Sequence, residues 1–319
     1  MCCVWVENTG RSHSCSSESC GLTIYTLITG PSLKNNRSIS SYLLISPYLL
    51  HVLVFVLFPV GFSLFLSFHE WNIIGPMNYV GTANYEKLFQ DQYFIKSLRN
   101  TLVFLMIHIP LQIIIALGLA VILNEKLWFR AFFRGAFFMP VVVSGVVVTI
   151  LWQQLYGFEM GSINTFLMWL GFDKVGWLID PVWAMPSIAI MATWKNVGLY
   201  VILFLVGLQS VPKSLYEASE LEGATRWQQF WHITLPVINP TVIMVMILST
   251  IGGFSLFIEP YVMTGGGPLN STLSSVLYIY KQGFFYYHMG YAATLGLILA
   301  LIILTVVFIQ RLVIEKKQS

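Results

Sequence analysis

Long uncharged, apolar runs divided by short polar links make up most of this chain. The uncharged stretches are 38–69, 100–124, 135–158, 227–258 and 282–310, and a sixth lies between Asp180 and Lys213, interrupted only by Lys195. Each is at least as long as the ~20 residues that carry a helix across a hydrocarbon core. The stretch 260–280 also lacks charge, but Thr264-Gly265-Gly266-Gly267-Pro268 cannot hold a lipid-facing helix. The pattern therefore predicts an all-α membrane protein of six helices, at about 42–67, 100–123, 135–156, 185–209, 237–258 and 288–311.

Composition agrees with that pattern. Of 319 residues, 56% are hydrophobic and 10% charged, against roughly 25% charged in soluble domains. Alternate connections carry unequal numbers of cations. Lys34, Arg37, Lys126, Arg130, Arg134, Lys213, Arg226, Arg311, Lys316 and Lys317 fall on one side, and Lys87, Lys96, Arg99, Lys174, Lys195 and Lys281 on the other. By the positive-inside rule both termini are expected in the cytoplasm. All four cysteines lie in the first twenty residues, so no disulfide framework or cysteine metal site is expected in the membrane body. Residues 1–37 read as a disordered or non-native extension, with a metal or redox tail as the alternative. They lack the basic start of a signal peptide. The remainder, 38–319, reads as one six-helix membrane domain.

One polar island, 210–236, breaks the apolar pattern with local helix signals. Pro212 suits a first helical turn, and Ser214 with Glu217 has capping-box spacing. Leu215, Ala218 and Leu221 form an apolar stripe, and Gly223 allows the left-handed turn that ends a helix. Thr225 with Gln228 opens a second short helix through Trp227, Phe230 and Trp231, and Leu235-Pro236 ends it. These signals predict a helix–turn–helix, with small residues at 218 and 219 leaving a surface another protein can approach.

The same island reads Glu217-Ala218-Ser219, three residues, Gly223, nine residues, Ile233-x-Leu235-Pro236. It resembles the coupling loop of ATP-binding-cassette importer permeases, departing only in Ser219 for a third small residue. Further stretches resemble the sugar-importer permeases of the maltose, glycerol-3-phosphate and multiple-sugar type. They are Asn84-Tyr85, Leu98-Arg99-Asn100-Thr101, Trp177-Leu178-Ile179-Asp180-Pro181, Trp194-Lys195-x-x-Gly198, Leu208-Gln209-Ser210-Val211-Pro212, Thr264-Gly265-Gly266-Gly267-Pro268 and Gly290-Tyr291-Ala292-Ala293. The resemblance implies a type I importer permease fold in the prokaryotic cell membrane. It also implies a second homologous permease, two ATP-binding subunits and an extracytoplasmic sugar-binding protein. By it, Glu217 contacts the ATPase, Ala218 and Ser219 permit close approach, and Gly223 sets the angle between helices, with Ile233, Leu235 and Pro236 completing the loop. The chain has no Gly-x-x-x-x-Gly-Lys-Ser/Thr phosphate loop, so ATP and its magnesium belong to a partner and no enzyme activity is expected.

A sugar path through lipid needs polar and aromatic groups facing inward. Trp194, Lys195, Asn196 and Tyr200 on the fourth helix are candidates. Lys195 reads either as a cavity donor or as a side chain snorkelling to the interface, and Glu259 either as a gate or as a solvated helix end. His108, alone in an apolar run, reads as an interhelical hydrogen bond rather than a metal ligand. The Gly118/Ala120 neighbourhood reads as helix packing. An ion-coupled secondary transporter is the rival class, but no Asp or Glu falls inside a predicted span. An importer permease for a non-sugar solute is the nearer alternative.

Overall fold

The computed structural model describes residues 36–125 and 128–315. The reading of the N-terminal extension therefore falls outside the described residues, except that Asn36 and Arg37 begin the first helix. The chain divides into two compact units at Gly61/Phe62. In the first, the described backbone is helical: α1 (Asn36–Val52), a π-helical turn (Leu53–Leu57) and the start of α2 (Phe58–Ser67).

The second unit holds the rest. After the close of α2 come a two-residue antiparallel ribbon, β1 (His69–Glu70) with β2 (Asn78–Tyr79), then α3 (Ala83–Gln90) and α4 (Gln92–Asn124). Next are α5 (Arg130–Val142), α6 (Gly145–Leu155), α7 (Ser162–Trp169) and α8 (Ala184–Gln209). They are followed by α9 (Lys213–Leu221), α10 (Arg226–Gln229), a π turn (Phe230–Thr234), α11 (Leu235–Val237) and α12 (Asn239–Phe254). The chain ends with α13 (Ile258–Thr264), α14 (Ser275–Tyr280), a π turn (Lys281–Phe285) and α15 (Met289–Glu315).

Among the described residues four helices are long and apolar enough to cross a membrane: Leu44–Ser67, Gln92–Asn124, Ala184–Gln209 and Met289–Leu312. The expected third span is instead broken, which corrects the reading of 135–156 as a continuous helix, and the fifth, Asn239–Phe254, is preceded by a bend beside the expected boundary at Leu235-Pro236. Ala131–Val142 and Gly145–Leu155 meet at 96°, and Arg226–Val237 and Asn239–Phe254 at 66°. Counting each bent pair as one span restores six. Proline accounts for the breaks. Pro140 lies inside α5, where its missing N–H weakens the last turns before Val143 leaves the helix in an extended conformation. Pro236 and Pro240 each occupy the first turn of a new helix, on either side of Ile238. The second span is longer than 100–123 because Asp91 caps a helix that starts at Gln92. Its side chain accepts from the Tyr93 and Phe94 amides.

The centre of the bundle is α8. In its apolar window 61% of residues are buried, against 28% for α4 and 22% for α15. It packs mainly on α4, where the fully buried Ala116 and Ala120 admit Val197, Val201 and Phe204. Small residues one turn apart let two helices approach closely. Gly118, expected to share this role, has open space where a Cβ would stand, so Ala116 and Ala120 make the contact. A second core joins Phe104 and Leu105 of α4 to Met185, Ile188 and Met191 of α8 and to Phe254.

Candidate functional site

The polar island folds as a closed helical hairpin. Helix α9 starts directly after Pro212, whose backbone is extended, and no Ser214–Glu217 capping box forms. Its far end is a Schellman turn. Gly223, at φ +79°, donates to Glu220 O at 3.1 Å, and Ala224 N donates to Ser219 O at 2.9 Å. The expected capping box at Thr225 and Gln228 is present. Between the helices, Gln229 Nε2 donates to Ser219 Oγ at 3.0 Å, and the Tyr216 and Thr234 hydroxyls share a bond of 2.8 Å. Ser219 is thus buried and locks the hairpin, which corrects its expected place on the open surface. Glu217, Ala218, Gly223 and Pro236 are exposed, while Ile233 and Leu235 are half-buried. Leu215, Leu221, Trp227 and Trp231 are exposed, Leu221 at 91%, among charged residues that include Glu217, Glu220 and Arg226.

A second polar feature lies inside the bundle. A cavity of about 450 Å³ is bounded by α4, α8, the end of α12 and α13, and it is lined by His108, Asn196, Tyr200, Ser249 and Glu259 among others. Asn196 and Tyr200 are one turn apart and so share a face of α8. Asn196 stands near the middle of that helix. Lys195 Nζ meets Glu259 Oε1 at 3.3 Å with both side chains largely buried, at 14% and 11% exposure. The lysine therefore does not snorkel, and Glu259 is not a solvated helix end. Trp194 does not line this cavity; its ring lies 5.4 Å from that of Trp152, tilted by 57°, beside a separate, apolar hollow. The structure brings Asn196, Tyr200 and Glu259 together, sets Lys195 behind Glu259, and leaves Trp194 out.

His108 lines the same cavity. Thr193 Oγ1 donates its one hydrogen to Ala189 O, so it accepts from His108 Nδ1 at 2.8 Å. This fixes the imidazole tautomer and leaves Nε2 as an acceptor. The histidine does make the expected interhelical bond, and it is also a cavity wall. Ser249, whose buried hydroxyl has no hydrogen-bond partner among the described residues, is a second wall that helix-packing arguments alone do not single out.

Most of the family-like stretches build a different region, the end of the bundle formed by connections 69–98, 157–182 and 259–286. Asn84 Nδ2 donates to Ser67 O and His69 O, and Asn100 Nδ2 to Asn270 O and Leu273 O. Asn164 makes four hydrogen bonds, among them one from Trp177 Nε1. Asp91 Oδ2 accepts from the hydroxyls of Tyr278 and Tyr291 at 2.5 Å each. Burial pushes the Asp91 carboxyl upward, but those two hydroxyls and the Phe94 and Tyr93 amides outweigh it and hold the group below its ordinary value. Burial, with Asp91 next, raises the Tyr278 hydroxyl well above the usual phenol range. Sequence reasoning gave Asp91 no role, because its partners lie 187 and 200 residues away.

A multi-pass helical bundle with an interior polar cavity defines the class, a membrane permease. The chain belongs to the family described as binding-protein-dependent transport system inner membrane component, matched over residues 109–318. It is 36% identical over 285 residues to the lactose transport system permease protein LacF of Rhizobium radiobacter, covering 88% of this chain and 95% of that one. Its fold is that of ABC importer permeases of type I. The chain aligns at TM-score 0.74 and 26% identity with a bacterial alginate ABC transporter solved in complex with alginate pentasaccharide-bound periplasmic protein, covering 86% of this chain and 93% of the other. It aligns equally, at 0.74 and 25% identity, with a bacterial ABC transporter involved in the import of the acidic polysaccharide alginate, covering 88% of this chain and 96% of that one.

Proposed function

We propose that this chain is the permease subunit of an ATP-driven, binding-protein-dependent saccharide importer, forming half of the translocation path. The observation that carries the reading is the cavity, whose imidazole, amide, hydroxyl and aromatic groups match the alternation of hydroxyls and apolar faces on a sugar. The likeness to a lactose permease supports the substrate class. Residues 38–319 act as a single six-span domain with both termini in the cytoplasm, an orientation the cation bias supports. The partners are a second permease, two ATPase subunits and an extracytoplasmic binding protein.

The hairpin is the coupling element. Its exposed apolar residues, with Glu217 and Ala218 beside them, seat in the ATPase, and Gly223 sets the angle between the two helices. Closure of the ATPase dimer on ATP displaces the hairpin, and the bundle changes the side to which the cavity opens. The chain's own residues supply polar contacts to the passing sugar and no bond-making chemistry.

Purification of the tagged chain from its native cells in mild detergent, with mass spectrometry of what co-purifies, tests the reading. A phosphate-loop ATPase and a second permease are expected, together with loss of uptake of one saccharide on deleting the gene. Recovery of the folded chain alone, with all saccharide uptake intact after deletion, refutes it.

A further inference from the structure

The two likenesses differ in charge, since lactose is uncharged and alginate is acidic. The cavity itself separates them. We infer that this permease passes uncharged saccharides and rejects sugar acids, with Glu259 as the residue that discriminates. The inference rests on the proposed saccharide path and concerns which sugars that path admits.

Glu259 is the only charged residue among those lining the cavity. One of its oxygens faces Lys195 at 3.3 Å, and the other has no hydrogen-bond partner among the described residues. Lys195 does not itself line the cavity. It approaches from behind, its Nζ lying 2.8 Å from where a Cβ on Gly145 would stand, at the start of α6. The pair is therefore neutral as a unit but presents only its negative member to the ligand.

Of the uncharged walls, Asn196, Tyr200 and Ser249 can donate as well as accept, and His108 adds a further acceptor. His108 offers a bare Nε2 lone pair, because its Nδ1 proton is committed to Thr193. Acceptors of this kind take the O–H donors that every neutral sugar carries. A carboxylate or sulfonate on the sugar has no proton to offer them at neutral pH, and within one narrow cavity it meets the charge of Glu259. Like charges brought together away from water repel far more strongly than in solvent. Lys195 offsets this only in part, since it does not line the cavity while Glu259 does.

The test uses the assembled importer with its binding protein, purified whole. Equilibrium dialysis and ATP-driven uptake into proteoliposomes are measured for neutral di- and trisaccharides of glucose, galactose and arabinose. Galacturonate and glucuronate oligosaccharides of the same length serve as their acidic counterparts. Wild type is expected to bind and import at least one neutral probe with at least a tenfold preference over its acidic counterpart. Glu259→Gln, which leaves Lys195 unopposed, is expected to reduce that ratio to about one or invert it. Asn196→Asp leaves the ion pair intact and adds a second carboxylate to the cavity, so it is expected to raise the preference further. It also keeps the inference testable if Glu259→Gln does not fold. Two outcomes overturn the inference while leaving the saccharide reading intact: comparable handling of acidic and neutral probes by wild type, or an unchanged ratio in every variant that folds. Failure of every saccharide, with the assembly and its ATPase active, overturns the underlying reading as well.

Discussion

The connection-rich end of the bundle and the polar hairpin use their polar groups in opposite ways. At the first, side chains complete one another across long stretches of chain. Asn164 satisfies both ends of its amide, and Asp91 joins the start of α4 to Tyr278 and Tyr291. In the hairpin the contacts between its two helices are turned inward, Ser219 to Gln229 and Tyr216 to Thr234, while Leu215, Leu221, Trp227 and Trp231 stay outside. One region is finished within the chain, and the other, in the function proposed above, is half of an interface. Exposed apolar residues on an otherwise polar hairpin mark a surface that another protein covers.

Breaking the interior should have the largest effect. A side chain on Gly198 would overlap the carbonyl of Phe137, which lies against α8. Gly198→Leu is expected to cost about 3 kcal/mol or more, read as loss of folded permease by thermal unfolding in detergent. An unchanged melting temperature would show that α5 and α8 part freely. Next comes Gly223→Val, which forces a branched residue to φ +79° at a cost of about 1–2 kcal/mol confined to the hairpin. Uptake should fall at least tenfold with membrane insertion intact. Normal uptake by this variant would remove the hairpin from the coupling role.

Asp91→Asn probes the finished region. Replacing a charged acceptor of two phenol hydroxyls should cost about 2 kcal/mol, measured by chemical denaturation, with little change in ATPase assembly. The carboxyl lies below its ordinary value when folded. Its contribution is therefore full above the unfolded value of about 4 and fades as pH falls through the lower folded value. The asparagine variant should lose that acid-side slope. If both proteins show the same slope, Asp91 is not the group responsible. The smallest change is Ser219→Ala, which leaves Gln229 Nε2 without its partner at about 1 kcal/mol. Stability of the hairpin should drop slightly while uptake stays near wild type. A tenfold loss of uptake would return Ser219 to the docking surface.

Sequence alone gave the local features well. The expected helix at 185–209 is Ala184–Gln209, and the turn at Gly223 and the Thr225–Gln228 box form as their spacing implies. Each rests on neighbours within a few residues. The break at Val143 was hidden because an uncharged run has the same composition whether straight or bent, whereas Leu235-Pro236 marked the one beside Ile238. Helix α4 outran its prediction because Lys96 and Arg99 end an uncharged stretch without ending a helix. Asp91 with Tyr291, and Lys195 with Glu259, are pairs that only the folded chain brings together. Several family-like stretches proved to be scaffold: Asn84, Asn100, Trp177 and Tyr291 hold backbone or buried partners and do not line the cavity.

The closure of the hairpin has a mechanical consequence. Two helices pinned at their shared turn by Gly223 and across their faces by Ser219–Gln229 and Tyr216–Thr234 cannot scissor against each other, so they move as one stiff lever arm. A push applied at Leu221 or Trp227 is not dissipated in the turn. It reaches the base of the arm, where Tyr216 and Ile233 pack against the cluster that holds α4 and α8 together. In the coupling role proposed above, a few ångströms of travel at the tip would become torque on the two helices whose side chains wall the cavity.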